Sequence, residues 1–438
     1  MSGTDLYVTG KIATGSLADP AWDGLRFVPM QPTKFKTWIE QFLRTGYRVE
    51  RETDESKAAQ KAWHLAGKPK AGIAPLMAED VLAEKPKRGP KPAKEFETVF
   101  KEQTMHAGHA ATVLEAPNFR CGLCRINRIL DIPIPILTSE GVVYPQPGYN
   151  PKLAIFCNPD APKIKRIDLN NAKIAIEELH KEFCFKQDDD GQSKCHAIAR
   201  LLTPYLRGVI GFGEKTPFWF FDGNRPGAGK DYLAGVTQIV YLGEAFEDTP
   251  VSENSEETGK RIIAALSAGR RMMHFANCQG HLDDKNFIAA VTNTKMRARR
   301  LGSNDANADL ELRNELDISI SANIGLTVPE DIERRCRKIS LEYFEEHENS
   351  RNFERPDLHA YVRLNRDVIL SAIHTLFVTW WESDAKREKF TFTSFHRWSH
   401  VLGNIMAFHG YGNPCRPHKV GLVGGDLKDL WLTALPKQ

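Results

Sequence analysis

The sequence predicts an α/β fold: a parallel sheet flanked by helices, with a small N-terminal α+β region before it and a helical C-terminal subdomain after it. Three observations predict this. Between residues 166 and 350, short apolar runs alternate with helix-length amphipathic segments, the pattern of a parallel sheet with helices on both faces. Within that region Phe218–Leu233 reads FWFFDGNRPGAGKDYL, an apolar strand that passes through a Gly/Pro/Asn-rich loop and resumes as a helix at Lys230. From Pro356 onward the pattern is wholly helical, with apolar residues recurring at three and four over Leu358–Trp381 and again over Phe395–Phe408.

A chain of 438 residues leaves room for two or three domains at roughly 150 residues each. Composition shifts divide it into 1–96, a small β-rich unit at 97–165, the α/β unit at 166–350 and the helical end at 351–438. Hydrophobic content of 41% and charged content of 26% are ordinary for a globular protein, and a net charge of +3 leaves nucleic-acid binding to be decided by local clusters. No apolar run approaches the 18 or so residues of a membrane span, and MSGTDLYVTG lacks the basic-then-apolar order of an export signal. A cytoplasmic protein without membrane contact is expected. Eight cysteines in a chain this long do not suggest a disulfide scaffold, so most are expected to be reduced.

In chain order, Phe35, Trp38, Ile39 and Phe42 fall at helical spacing within Phe27–Leu43. Over about 78–96, EKPKRGPKPAKE interleaves lysines and an arginine with three prolines, which reads as an extended basic linker. The next unit is helical and then strand-like (RILDIPIPILT, GVVYP, KLAIFC); it carries His106, His109, Cys121 and Cys124, for which a zinc site and free packed thiols are both open. Helices follow at Asn170–Phe183 and Ala197–Leu206, separated by the solvated Asp188–Asp190 turn. After the glycine loop, Asn254 with Glu257 starts a helix in the manner of a capping box, and Gly269 ends it. A strand at Arg271–Phe275, a helix at Asp284–Thr292, a strand in ELDISISANIG, a short helix at Pro329–Arg335 and a last strand in RKISLEYF complete the alternation.

Chemistry concentrates at the loop. Strand, glycine loop, lysine and helix is the order that wraps a polyphosphate: Gly227 and Gly229 let backbone amides point inward, and Lys230 reaches the β- and γ-phosphates. Asn224, Pro226, Gly227, Ala228, Gly229, Lys230 and Asp231 are the candidate nucleotide-binding residues. Two of them depart from G-x-x-x-x-G-K-[ST]: Asn224 replaces the first glycine and Asp231 the Ser/Thr. An ATPase built this way also needs a carboxylate on a second strand for Mg2+ and water, a polar sensor on the strand between the two, and an arginine from a neighbouring subunit. Ala276-Asn277, Asn323 and Arg334-Arg335 stand in that order.

On NRPGAGKDYLAGV, RMMHFANCQGHLD, RARRLG, SISANIG, DIERRCRKISL and TFTSFHRWSHVLG, the chain from about Lys165 to Gly410 resembles the P-loop ATPase module of phage and mobile-element primase–helicase proteins, which are superfamily 3-like and AAA+-like. The resemblance implies a P-loop AAA+-like parallel sheet, ATP and Mg2+ as cofactors, and a hexameric ring that couples hydrolysis to movement along single-stranded or forked DNA. It implies that Lys230 is the phosphate lysine, Asn323 the sensor, and Arg335 or Arg334 the arginine finger. It further implies a hairpin that projects into the pore between the second and sensor strands, where Lys295, Arg297, Arg299 and Arg300 are candidates for tracking phosphates and Ser303–Asp309 is a polar tip.

One departure matters. Where the family has an acidic residue after the second strand, this chain has Ala276-Asn277, so Asp231 is the expected metal ligand, with Asp283 and Asp284 a few residues beyond the strand. Two competing readings remain: a nucleotide-gated DNA-binding or assembly module with little turnover, and an ATPase that remodels a protein partner. Residues 1–165 show no polymerase-type carboxylate cluster, so primer synthesis is not expected.

Overall fold

The computed structural model describes residues 46–65, 90–102 and 126–416, except 249, 252–253, 300–308, 323–325, 345–352 and 393, together with 7–8, 28–29, 108 and 112. The helix expected at Phe27–Leu43 and the His106/His109 and Cys121/Cys124 pairs lie outside the described residues. The chain forms two compact units, one holding 30–122 with 11–19, the other the remainder. Among the described residues no helix is long and apolar enough to cross a membrane.

In the smaller unit, β1 (Gly46–Glu52) pairs antiparallel with β2 (Phe96–Glu102), so the chain on both sides of residue 96 belongs to one sheet. Helix α1 (Asp54–Leu65) follows β1 and has acids in its first turn, where the helix dipole favours negative charge. Part of the basic linker is not free. Lys94 pairs with Glu52 at 3.3 Å, Lys91 lies 5.9 Å from the centre of the Trp63 ring, and the Pro92 carbonyl accepts from Gln60.

The larger unit begins with short strands: β3 (Arg128–Leu130), the hairpin of β4 (Ile136–Thr138) and β5 (Gly141–Val143), then β6 (Gly148–Asn150) and β7 (Ile155–Cys157). Strand β7 pairs parallel with β3 and antiparallel with β6. Helices α2 (Leu169–Glu178), α3 (Gln192–Leu202) and α4 (Arg207–Ile210) lead into the main sheet. That sheet has four parallel strands: β8 (Phe218–Gly223), β9 (Met272–Cys278), β12 (Asp317–Ala322) and β13 (Cys336–Leu341), in the order β9-β12-β8-β13. The glycine-loop strand β8 is therefore internal, and β12 separates it from the second strand β9.

Between these strands run α5 (Lys230–Leu242), α6 (Ser255–Ser267), α7 (Lys285–Thr292), the antiparallel hairpin of β10 (Lys295–Arg299) and β11 (Asp309–Arg313), and the single turn α8 (Glu330–Glu333). Asn254 caps α6 by accepting from the Glu256 amide at 3.0 Å, while the Glu257 carboxylate turns outward to Arg261. Asp284 caps α7 through the Phe287 amide at 2.7 Å. The C-terminal helices are α9 (Leu358–Leu364), α10 (Arg366–Trp381) and α11 (His396–His409).

Alternate residues of each strand feed two separate cores. Phe218, Phe220, Met273, Phe275, Ile318 and Ile320 pack against Ile262 and Ala265 of α6 and Phe287 and Ala290 of α7. Trp219, Phe221, Met272, Ile339 and Leu341 share the other core with α3, α5, α10 and α11. The Ile/Ser alternation of β12 therefore does not mark a solvated face. Ser319 and Ser321 are both fully buried, because a parallel sheet is covered on both sides. Strand β3 is tied to the sheet's starting edge: Arg128 makes a two-pronged buried ion pair with Glu315, and Arg271 donates to the Ile129 carbonyl at 2.6 Å.

Candidate nucleotide site

Strand β8 ends at Gly223, and the loop turns back over the sheet's carboxyl edge to start α5. Gly227 and Gly229 have φ of 78° and 94°, a left-handed region where a side chain is strained, and Gly229 is the N-cap of α5. Ala228 is fully buried. Lys230, the first residue of α5, is buried, and desolvation pulls its ammonium below the ordinary lysine value while Asp231 and Asp222 work the other way.

The loop's departures from the usual pattern have structural explanations. The Asn224 side chain bridges the chain end of β13, donating to the Tyr343 carbonyl and accepting from the Tyr343 amide, both at 3.0 Å. Its own amide donates to the Leu341 carbonyl at 3.2 Å. Asn224 thus anchors the loop to the neighbouring strand, a task that glycine cannot perform. The close approach falls one residue earlier: a Cβ on Gly223 would stand 3.0 Å from Lys230 Cδ and 3.2 Å from Ala228 Cβ. Pro226 sits within the turn of this loop.

Asp231 points toward the sheet. Its Oδ1 accepts from His274 Nε2 at 2.9 Å and from the Ser321 hydroxyl. Burial raises the Asp231 carboxyl, but these hydrogen bonds and the nearby charges outweigh it and hold the group below the usual carboxylate value. His274 lies on β9, fully buried, with Nδ1 2.9 Å from Ser319 Oγ. Arg200 of α3 donates to the same Ser319 oxygen at 3.0 Å. At the end of β9, Asn277 takes φ 55° beside a bulge and donates its amide to Ser321 Oγ at 3.1 Å. Its side chain is exposed at that end of the sheet.

Three other acids near the sheet are engaged elsewhere, while Asp283 is exposed just beyond the second strand. Asp284 caps α7, Asp248 is held bidentate by Arg270, and Asp222 pairs with Lys338 at 2.7 Å. Among the described residues no three His, Cys, Asp or Glu side chains converge as a metal cage. A nucleotide-borne Mg2+ needs only one or two protein oxygens, the rest coming from phosphates and water. Asp231 fits that role: both of its hydrogen bonds fall on Oδ1, and an anionic Oδ2 beside the loop is a hard oxygen donor.

The remaining predicted residues lie apart from the loop. Asn323 follows β12, whose Ala322 pairs with Asp222 at the carboxyl edge, and Asn323 itself is outside the described residues. Arg334 and Arg335 stand at the opposite edge, since the Arg335 carbonyl accepts from the amide of Phe218, where β8 begins. A six-residue strand, roughly 20 Å, separates them from the loop of the same chain. Both pair with Asp331, Arg335 at 3.5 Å. Lys295 and Arg297 are exposed on β10, and both pair with Glu311 across the hairpin. The Arg299 side chain, Arg300 and the hairpin tip lie outside the described residues.

Gly223, His274, Ser321 and Arg200 escaped the sequence reading. A signal existed for two of them: His274 is the polar residue in an apolar strand, and Ser321 belongs to the polar phase of β12.

No protein-family model matches the sequence, and no curated protein matches it. Among solved structures, the apo C-terminal region of NrS-1 is 12% identical at a TM-score of 0.36, covering 64% of this chain and 61% of that one. A JCV helicase with a bound thiazolopyridine compound is 15% identical at 0.24, covering 49% of this chain and 61% of that one. The SCCmec type IV Cch active helicase is 12% identical at 0.30, covering 78% and 68% respectively. The chain thus spans about three-fifths of the NrS-1 region and of the JCV helicase. Its α/β architecture is established by its own parallel sheet and flanking helices.

Proposed function

We propose that this protein is an ATP-hydrolysing, helicase-type ATPase that moves along single-stranded DNA as a hexameric ring during replication of a mobile element. The observation that carries the proposal is the loop of β8: two left-handed glycines and a buried lysine at the N-terminus of a 13-residue helix, at the carboxyl edge of an internal parallel strand. Such a site takes the phosphates of a nucleotide through backbone amides and the helix dipole, with Lys230 neutralising the terminal phosphates. Mg2+, when bound, would screen phosphate charge there, with Asp231 as its protein ligand. Asn277 and Asn323 are proposed to orient the attacking water and sense the terminal phosphate at the end of the sheet. Arg334 and Arg335 are proposed to serve a neighbour's site, a reading supported by the strand's length between them and their own loop.

The deciding experiment is ATP hydrolysis with and without single-stranded DNA, on material sized by light scattering. The expected result is hydrolysis that rises several-fold with DNA and requires an oligomer. Turnover that ignores DNA would favour a protein-remodelling ATPase and overturn the proposal. A second reading, a nucleotide-gated DNA-binding module with little turnover, is favoured by Ala276-Asn277 at the end of β9, where no carboxylate stands. Nucleotide binding without hydrolysis in the same assay would establish it.

A further inference from the structure

Asp231 and His274 lie 43 residues apart in sequence, yet they meet inside the protein between α5 and the sheet. The direction of the hydrogen bonds onto Asp231 follows from what each group is able to donate. Arg200 only donates, so Ser319 Oγ accepts from it, while the Ser319 hydroxyl has two acceptors in reach, His274 Nδ1 at 2.9 Å and the Met273 carbonyl at 3.4 Å. The carboxylate of Asp231 only accepts, so His274 carries its proton on Nε2 and gives it to Oδ1. From the other side, the Asn277 amide donates to Ser321 Oγ, and the Ser321 hydroxyl donates to the same Oδ1. Two hydrogen-bonded chains, one from α3 and one from the end of β9, therefore converge on one oxygen of Asp231 and fix the rotation of its carboxylate.

We infer that His274 and Ser321 form a clasp that makes Asp231 do the work of the carboxylate missing from the second strand, with both as positioning residues that aim Oδ2 at the metal–phosphate unit of the nucleotide. The inference rests on the ATP-site reading above. The acid is supplied by the helix after the loop, but its orientation is supplied by β9 and β12, the strands from which such a group would otherwise project. It follows that threonine at 231, which restores the usual loop pattern, does not restore function here: a hydroxyl has no second oxygen to present once it is held by His274 and Ser321.

The test measures affinity for a fluorescent ADP with and without Mg2+, in the full chain and in His274→Ala, His274→Gln, Ser321→Ala and Asp231→Thr. In the wild type, Mg2+ should tighten binding. In His274→Ala and Ser321→Ala, metal-free affinity should stay within about two-fold, while the gain from Mg2+ falls about 10- to 100-fold, the usual effect of removing a group that orients a metal ligand, and in Asp231→Thr, which removes the ligand itself, the gain from Mg2+ should be lost. His274→Gln keeps an N–H donor toward Oδ1 and should recover much of the gain. An undiminished Mg2+ gain in folded His274→Ala and Ser321→Ala would overturn the clasp while leaving the ATP site intact. A wild type that binds no nucleotide would overturn the ATP site, and the clasp with it. Should His274→Ala fail to fold, Ser321→Ala decides alone, since it removes one hydroxyl and no ring.

Discussion

A methyl group at Gly223 would press on the aliphatic stem of Lys230, because the Cβ position is 3.0 Å from Cδ. The lysine is the movable partner, so Gly223→Ala should fold normally and lose nucleotide affinity, by about ten-fold, as measured by fluorescent ADP binding against a thermal melt. The buried ion pair at the opposite edge of the sheet makes a stability prediction. Burial pushes the Glu315 carboxyl up, but hydrogen bonds from Arg128 and the charges of Arg128, Arg271 and Arg207 win and hold it at about 2. Its folded value is thus below the unfolded one, so its contribution is fully present above about pH 4.5 and is lost as pH falls toward 2. Glu315→Gln should cost about 3–5 kcal/mol at neutral pH, because Arg128 is left buried without its partner. The same variant should flatten the fall in stability between pH 4.5 and 2, measured by denaturant melts.

The β10–β11 hairpin is an element whose charge the sequence overstates. Lys295, Arg297, Arg299 and Arg300 read as a cationic strip, but across the antiparallel ladder Glu311 meets both Lys295 and Arg297. If the hairpin tracks phosphates, Glu311 competes with them. Glu311→Gln should therefore raise single-strand affinity several-fold at low salt and steepen the fall of log affinity with log salt, because two more cations become available. Arg299→Glu with Arg300→Glu should do the opposite; titration of a labelled oligonucleotide at two salt concentrations checks both. The family resemblance implied a hairpin in this segment, and the β10–β11 ladder forms one. Its pairing register, which decides the charge balance, depends on residues on the other side of the hairpin.

At the scale of the whole molecule, the sheet places loop and arginines at opposite edges. Lys230 and Arg335 of one chain are thus not expected to share a site, and activity should require assembly. Arg335→Ala should bind nucleotide within about two-fold of wild type but lose turnover by about 1,000-fold or more, the usual contribution of such an arginine. Mixing Arg335→Ala with Lys230→Ala chains should restore part of the ATPase activity, since some interfaces would pair an intact loop with an intact arginine. No recovery on mixing, with assembly confirmed by light scattering, would show that the arginines do not act between subunits.

The sequence by itself determined the alternation of strands and helices, the loop from Asn224 to Asp231, the cap at Asn254 and the helical end, because each is written in neighbouring residues: apolar period, glycine, proline and capping oxygens. Only the tertiary structure decided what Asp231 touches. Its partners come from β9 and β12, and a buried histidine or serine leaves no periodic signal that names its partner. The strand order does so, by setting β12 between the loop strand and the second strand, and it turns Asp231 from a substitution in a motif into the end of two hydrogen-bond chains.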